Sequence, residues 1–305
     1  MAFAGAAHSH PFADAANLRA RGATLSGVWE ADDPARGRDF ASRFGVPRRE
    51  TLDALLADRP DLVVATPRTP RAPQVLDACG RAGIPVFFNK TVVAEAEALD
   101  DFDRRHRAGA RVASSSVLRF APAVAAFAER LSGARVRAID VIAQHEIAGF
   151  LTPERAWQDD PRSGGGTLLS VGVHAVDLVD AVLPGAVPAL AGATLTGAWS
   201  TVGSLPTRSE TVAVLRAETV DGAPLTATAS GVSGPDRYAV RVVADDGVHE
   251  LSLGDGDDLG YGALADALLV FAAGGASPVA WERTAAGYRL LLAAAARLRG
   301  EQVAA

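Results

Sequence analysis

The first residues of the chain that could do chemistry are Gly5-Ala6-Ala7-His8-Ser9-His10, a run of small residues and histidines between a short apolar stretch and a helical pattern. Where a strand turns into a helix, the amides of the first helical turn lack internal partners and carry partial positive charge. A pyrophosphate fits such a place. Against the dinucleotide fingerprint G-x-G-x-x-G, Gly5 takes the first position, Ala7 the second and His10 the third, so one glycine of three is present and Ala7 adds a methyl facing the phosphates. Glu30 stands about where an acid would accept hydrogen bonds from the adenosine ribose hydroxyls, which favours NAD over NADP because a 2′-phosphate would meet a carboxylate. With Asp32 and Asp33 it fits a solvated turn and helix N-cap equally well, and the residues alone leave both readings open. His8 and His10 precede the helix on an exposed loop, placed to touch phosphate, nicotinamide or substrate. Two histidines with no matched third ligand make no coordination shell, so no metal is expected.

The elements that must position these residues follow from the apolar pattern. Short apolar runs at Met1–Ala4, Thr24–Trp29, Asp61–Pro67 and Pro85–Phe88 alternate with helical segments at Pro11–Arg21, up to Phe44 and at Leu52–Ala57, the last capped by Thr51. A further helix holds Val75, Leu76 and Cys79 on neighbouring turns. Such alternation is what a parallel sheet covered on both faces requires. After 111–117 the character changes. A helix at Pro122–Leu131, a long strand at Val136–His145, an irregular stretch at Gly149–Gly166 and a helix at Leu168–Leu183 lead into successive strands between Thr194 and Leu253. Turn signals at Val220-Asp221-Gly222, Ser233-Gly234-Pro235 and Asp245-Asp246-Gly247 separate these strands, and helices at Ala263–Phe271 and Trp281–Arg299 close the chain. The expected fold class is α/β: a Rossmann-type doubly wound parallel sheet over 1–118, then an α+β domain with a mostly antiparallel open sheet over 119–305.

With 305 residues, 49% of them hydrophobic, the chain can bury two medium cores. Lys and Arg total 30 against 36 Asp and Glu, a formal charge of −6 with both signs scattered, which argues against nucleic acid as a partner. The one cysteine, Cys79, excludes a disulfide within the chain and reads as a small core hydrophobe. No apolar run reaches the length of a bilayer and no basic-then-apolar leader opens the sequence, so a cytoplasmic protein without membrane contact is expected.

Taken in order, Gly5-Ala6-Ala7-His8-Ser9-His10, Ala65-Thr66-Pro67, Asn89-Lys90-Thr91 and Gly172-Val173-His174 give the chain a resemblance to the glucose-fructose oxidoreductase/inositol dehydrogenase (Gfo/Idh/MocA) family. Phe44-Gly45-Val46, Arg119-Phe120 and Gly164-Gly165-Gly166 leading to Leu168-Leu169-Ser170-Val171-Gly172 extend it over nearly the whole chain. The resemblance implies an NAD(P)-dependent oxidoreductase of a sugar, cyclitol or related polyol, with NAD the expected cofactor, and a homo-oligomer, dimer or tetramer, formed through the C-terminal sheet. Lys90 matches the family's lysine near the reacting carbon and His174 its histidine. Asn89 replaces the family's Glu, Thr91 its Pro and Ser170 its Asp, and Arg71 stands where a His often follows Ala-Thr-Pro. Ala65, Thr66, Pro67, Asn89 and Lys90 join Glu30 and the loop residues in the expected cofactor site.

Oxidation of a secondary alcohol needs a base for the hydroxyl proton, which suits His174, and a cation for the developing alkoxide, which suits Lys90. Ser170 retains a hydroxyl for substrate but no charge. Taken alone, Lys90 also fits a solvent-facing strand end and His174 a satisfied core histidine. Glycines 164 to 166 would let the backbone pass close to bound ligands. Arg119 is a candidate for holding substrate, with an inter-domain salt bridge the competing use. Trp157 and Asp159 fall in a stretch that would overhang the site or anchor its own loop. The departures Ala7, Asn89, Thr91 and Ser170 motivate one alternative, a member that has lost redox chemistry and serves as a binding or partner subunit; a further one keeps NAD and uses it for transient oxidation during glycoside cleavage or elimination.

Overall fold

Three-residue apolar strands of Val, Phe and Ala can only be buried, and the computed structural model stacks them into a parallel sheet. It describes residues 1–184, 186, 194–203, 205–218 and 222–300; Val220 and Asp221, where a turn was expected, lie outside them. The chain divides into a first unit, Met1–Ser115 with Tyr261–Trp281, and a second, Ser116–Gly260 with Glu282–Ala305.

In the first unit the elements run β1 (Ala2–Ala4), α1 (His10–Ala20), β2 (Gly27–Trp29), α2 (Pro34–Phe44), β3 (Arg48–Arg49), α3 (Leu52–Ala57), β4 (Val63–Ala65), α4 (Ala72–Ala82), β5 (Val86–Asn89), α5 (Ala96–Arg107) and β6 (Val112–Ser115). The sheet order is β3-β2-β1-β4-β5-β6, with every pair parallel. The order reverses between β1 and β4, and ligands of such sheets bind at the carboxyl ends of the strands at that point. Phe3 of β1 meets Phe40 of α2 at 4.8 Å between ring centroids, and Phe40 meets Phe12 of α1 at 5.3 Å. This cluster fixes how α1 leaves β1. Phe40 is fully buried, and truncating such a ring typically costs about 3–5 kcal/mol. Asp33 caps α2 by accepting from the amides of Ala35 and Arg36, and Thr51 caps α3 through Ala54.

The second unit holds α6 (Pro122–Arg130), β7 (Val136–Gln144), α7 (Gly166–Ser170), α8 (Gly172–Val182), β8 (Thr194–Thr201), β9 (Val212–Glu218), β10 (Pro224–Ser230), β11 (Arg237–Ala244) and β12 (Gly247–Gly254). Its sheet order is β12-β11-β7-β10-β9-β8, antiparallel except for the β7–β10 pair. Along β7 and β11 buried residues alternate with less buried ones, so one face of the sheet is packed and the other faces outward. The single helix expected over Leu168–Leu183 is two helices, α7 and α8, because the chain breaks at Val171.

The chain then returns to the first unit as α9 (Tyr261–Ala272) before α10 (Trp281–Leu298). This corrects the expected division, which placed all of 119–305 in the second domain. Leu264, Leu268 and Phe271 of α9 are buried, α9 packs against α1, and the Trp281 indole stacks on Phe102 and donates to Asp103 at 2.7 Å. Cys79 is buried in α4, where burial pushes its thiol up to about 12, so it is inert as a nucleophile.

Candidate active site

In the first unit the site grows out of the β1–α1 loop. Gly5 has φ +97°, and a Cβ there would lie 2.4 Å from the Thr66 carbonyl oxygen and the Pro67 nitrogen, so the loop crosses the end of β4 at a distance only glycine allows. The Gly5 amide donates to the Trp29 carbonyl and the Ala7 amide to Thr66, which ties the loop to β2 and β4 at once. Ser9, exposed at the N-terminus of α1, makes no side-chain capping bond, and Pro11 occupies the first turn. The His8 and His10 rings meet edge to face at 4.8 Å beside this turn, and His10 lies 6.0 Å from Tyr261. Ala65 and Thr66 are buried where β4 ends, with Pro67 half-buried beyond them. These groups suit the pyrophosphate of a dinucleotide: a helix N-terminus with an uncapped exposed serine, at the reversal of strand order.

Glu30 is neither a solvated turn residue nor the cap of α2. It is buried, and its carboxylate accepts from the Ala6 amide at 2.5 Å, the Asp32 amide at 2.7 Å and the Asp33 amide at 3.0 Å. Glu30 is therefore a clamp on the loop, and a ribose hydroxyl would have to share it. Arg36 steadies the same loop by donating to the Ala6 carbonyl at 2.6 Å. Asp32, half-buried, accepts from Arg71 Nε through both oxygens, at 2.7 and 2.8 Å. None of these partnerships is visible from spacing.

At the end of β5 Asn89 is buried and uses both amide hydrogens, donating to Asp14 Oδ2 and to Thr66 Oγ1, each at 2.8 Å. Lys90 follows it, half-buried, and the Lys90–Thr91 peptide bond is cis. Asp14, on α1, is a residue that local sequence reasoning missed: it is an acid on the inner face of a helix, buried with an amide rather than a cation for partner. Burial pushes its carboxyl up to about 7, with the Asn89 bond opposing.

In the second unit His174 is buried on α8. Its Nδ1 lies 2.6 Å from Ser116 Oγ, its ring centroid 5.3 Å from that of Tyr238, and the Leu118 amide donates to the same Ser116 oxygen. Ser116 was not marked by the sequence; the serine run at 114–116 is the one signal that pointed to it. Ser170 donates to the Gly166 carbonyl one turn back at 2.6 Å, which turns its hydroxyl into the helix. Arg119 is held by Asp177 at 2.6 Å and by Asp180, with Arg283 also on Asp180, so its ion pairs lie within the second unit and the inter-domain bridge expected of it is not what they form. Asp177 accepts from the Ser116 amide at 2.9 Å, which ties this network to the histidine's partner.

Asp159 anchors its loop, accepting from the amides of Arg208 and Ser209 and from the Ser209 hydroxyl. Trp157 is half-buried on the preceding turn. The glycines at 164–166 serve this packing: a Cβ on Gly164 would fall 2.2 Å from Gln158 Cα and one on Gly166 2.6 Å from Ser209 Cβ, so the close approach is to protein. Glu210, its carboxyl raised by burial, accepts from the Leu168 amide at 2.6 Å and holds the start of α7. Among the described residues no cluster of three or more His, Cys, Asp or Glu could hold a metal.

No family model matches the sequence, and no curated relative does. Solved structures do match. GenD2 from gentamicin A biosynthesis, determined in complex with NAD, aligns with a TM-score of 0.84 at 21% identity, covering 98% of this chain and 93% of that one. The WlbA dehydrogenase from Chromobacterium violaceum, determined with NADH and UDP-GlcNAcA, aligns with a TM-score of 0.81 at 16% identity over 99% and 94%. The chain has the fold of the Gfo/Idh/MocA dehydrogenases. An oxidoreductase from Agrobacterium radiobacter, determined with NAD+, L-tartaric acid and magnesium, aligns with a TM-score of 0.76 at 15% identity over 98% and 95%. The fold expected from the motifs is thus borne out, six parallel strands in one sheet and a mostly antiparallel sheet in the other.

Proposed function

We propose that this chain is an NAD-dependent dehydrogenase of a sugar, cyclitol or related polyol. The observation that carries the reading is that Lys90, at the carboxyl end of β5, is the only lysine among the 30 Lys and Arg residues of the chain. A guanidinium does not release its proton in a protein, whereas an ammonium does. Keeping the one amine beside a dinucleotide-type switch point is what proton chemistry there would require.

The first unit binds the cofactor, with the loop 5–10 and the turn after β4 on its phosphates. When bound, the nicotinamide supplies the hydride acceptor. Lys90 holds the substrate oxygen, offsets its charge as the proton leaves and relays protons to and from it. His174 is the base. For that role its Nδ1–H must donate to Ser116 Oγ and Nε2 must be the ring atom that takes the hydroxyl proton. Ser116 thereby selects the tautomer. The solved structures of GenD2 and WlbA contain NAD and NADH, which supports the choice of cofactor.

The outward face of the second sheet is read as the seat of a second copy. Asp140, Arg241 and Glu250 stand side by side across β7, β11 and β12, an alternation of charge that a copy turned about a two-fold axis can match. Trp199, 53% exposed on β8, supplies apolar area. The absence of a disulfide partner for Cys79 suits the reducing cytoplasm.

A second reading, a binding or partner subunit without redox chemistry, is favoured by Ser170 being turned to Gly166. Turnover decides between them. With NAD and a panel of polyols and sugars, wild type reduces the cofactor and Lys90→Ala loses at least a hundredfold in kcat; cofactor binding with no turnover on any polyol supports the second reading instead.

A further inference from the structure

Asp14 is the buried acid that the proposed chemistry leaves unused. Its side chain, one turn into α1, reaches Asn89, and Asn89 reaches Thr66, so one amide links the first helix to the ends of β4 and β5. The Thr66 amide is itself held by Ala4 of β1, and its carbonyl takes the Ala7 amide of the phosphate loop. A shift of Asp14 is therefore a shift of Asn89, and Asn89 is bonded through the backbone to Lys90. A carboxyl in this place does two things an apolar residue would not. It orients the Asn89 amide, with the oxygen of one neighbour on each hydrogen, and when ionised it puts a negative charge in a poorly solvated interior, one hydrogen bond from the residue that precedes Lys90.

We propose that Asp14 is the positioning residue for Lys90: through Asn89 it fixes the backbone that carries the amine, and its charge sets how firmly that amine keeps its proton. The inference rests on the proposed function of Lys90, but its physical content does not depend on turnover. Burial raises the Asp14 carboxyl to about 7, so the charge switches on near neutrality. The other titratable and charged groups on the elements around it are His10 and Arg19 on α1, Arg19 donating to the Phe44 carbonyl, and Tyr261 and Asp266 on α9, the last paired with Arg21.

Because the chain has one lysine, growth on ε-13C-lysine gives one resonance, and no chemical modification is needed. In wild type the Lys90 signal should show, besides the amine's own titration, a second inflection near pH 7. That inflection should persist in His8→Asn/His10→Asn and vanish in Asp14→Asn, where the amine should also give up its proton about threefold or more easily. A single inflection in wild type overturns the proposal without any variant, and so does an inflection that survives in Asp14→Asn. NADH titration of the same samples reads the cofactor site separately: failure to bind counts against the proposed function and leaves the Lys90 titration to stand or fall alone.

Discussion

Replacing Asp14 by Asn should make the protein more stable at alkaline pH and leave the pH dependence of its stability flatter. The carboxyl sits at 2% exposure, and its pKa is raised from 3.8 to about 7, burial being the main cause and the Asn89 bond opposing it. A carboxyl raised on folding binds its proton more tightly in the native state, so its contribution to stability is fully present below the unfolded pKa. It is lost as pH rises through the folded one. With those two values about two pKa units of the penalty accumulate between pH 5 and pH 8, or ~2.6 kcal/mol at 1.36 kcal/mol per unit. Asparagine keeps the shape and a neutral bond to Asn89 without the titration. Urea unfolding of both proteins from pH 5 to pH 8 measures the difference, which should grow by about 2–3 kcal/mol in favour of Asp14→Asn across that interval. Parallel curves for the two proteins would show that Asp14 does not titrate in the native state between pH 5 and pH 8.

Three further outcomes follow from the same geometry. Arg119→Met leaves Asp180, a carboxyl already raised by burial, and Asp177 without their shared cation, and should destabilise the protein by about 3–5 kcal/mol; a loss under about 1 kcal/mol would mean the network is solvated. Ser116→Ala removes the oxygen beside His174 Nδ1, so 15N spectra of the histidines should change from an Nδ1–H form in wild type to a mixture of tautomers; unchanged ring shifts would deny Ser116 that role. Asp32→Asn frees Arg71 from its bidentate partner and should tighten NADPH at least tenfold, about 1.4 kcal/mol, with NADH altered less; equal effects on both would place the pair away from the ribose.

Periodicity reads the first unit well because its strands are continuous apolar runs and its helix ends carry recognisable caps, Asp33, Thr51 and Gly45 among them. It reads poorly where few apolar residues mark a face. Helix α5 buries only Leu99, Phe102 and Asp103 under a row of charges, and β3 is two half-buried arginines at the sheet edge. The return of α9 to the first unit is a long-range choice that no local window contains. The candidate residues of each unit divide in the same way. Gly5, Lys90 and His174 stand out by type and order, but the partners that give them meaning are distant in sequence: Ala6 from Glu30, Asn89 from Asp14, His174 from Ser116. Glu30 shows what type alone leaves out. An acid at the end of β2 suggested a ribose ligand, and its carboxylate is bound to three backbone amides.

The proposed chemistry depends on the loop after β1 receiving a nicotinamide dinucleotide. Calorimetric titration of the purified chain with NADH tests it most directly. Saturable binding of one NADH per chain, with Kd in the micromolar range or about −8 kcal/mol, is the predicted result. No heat and no saturation up to millimolar NADH would contradict it.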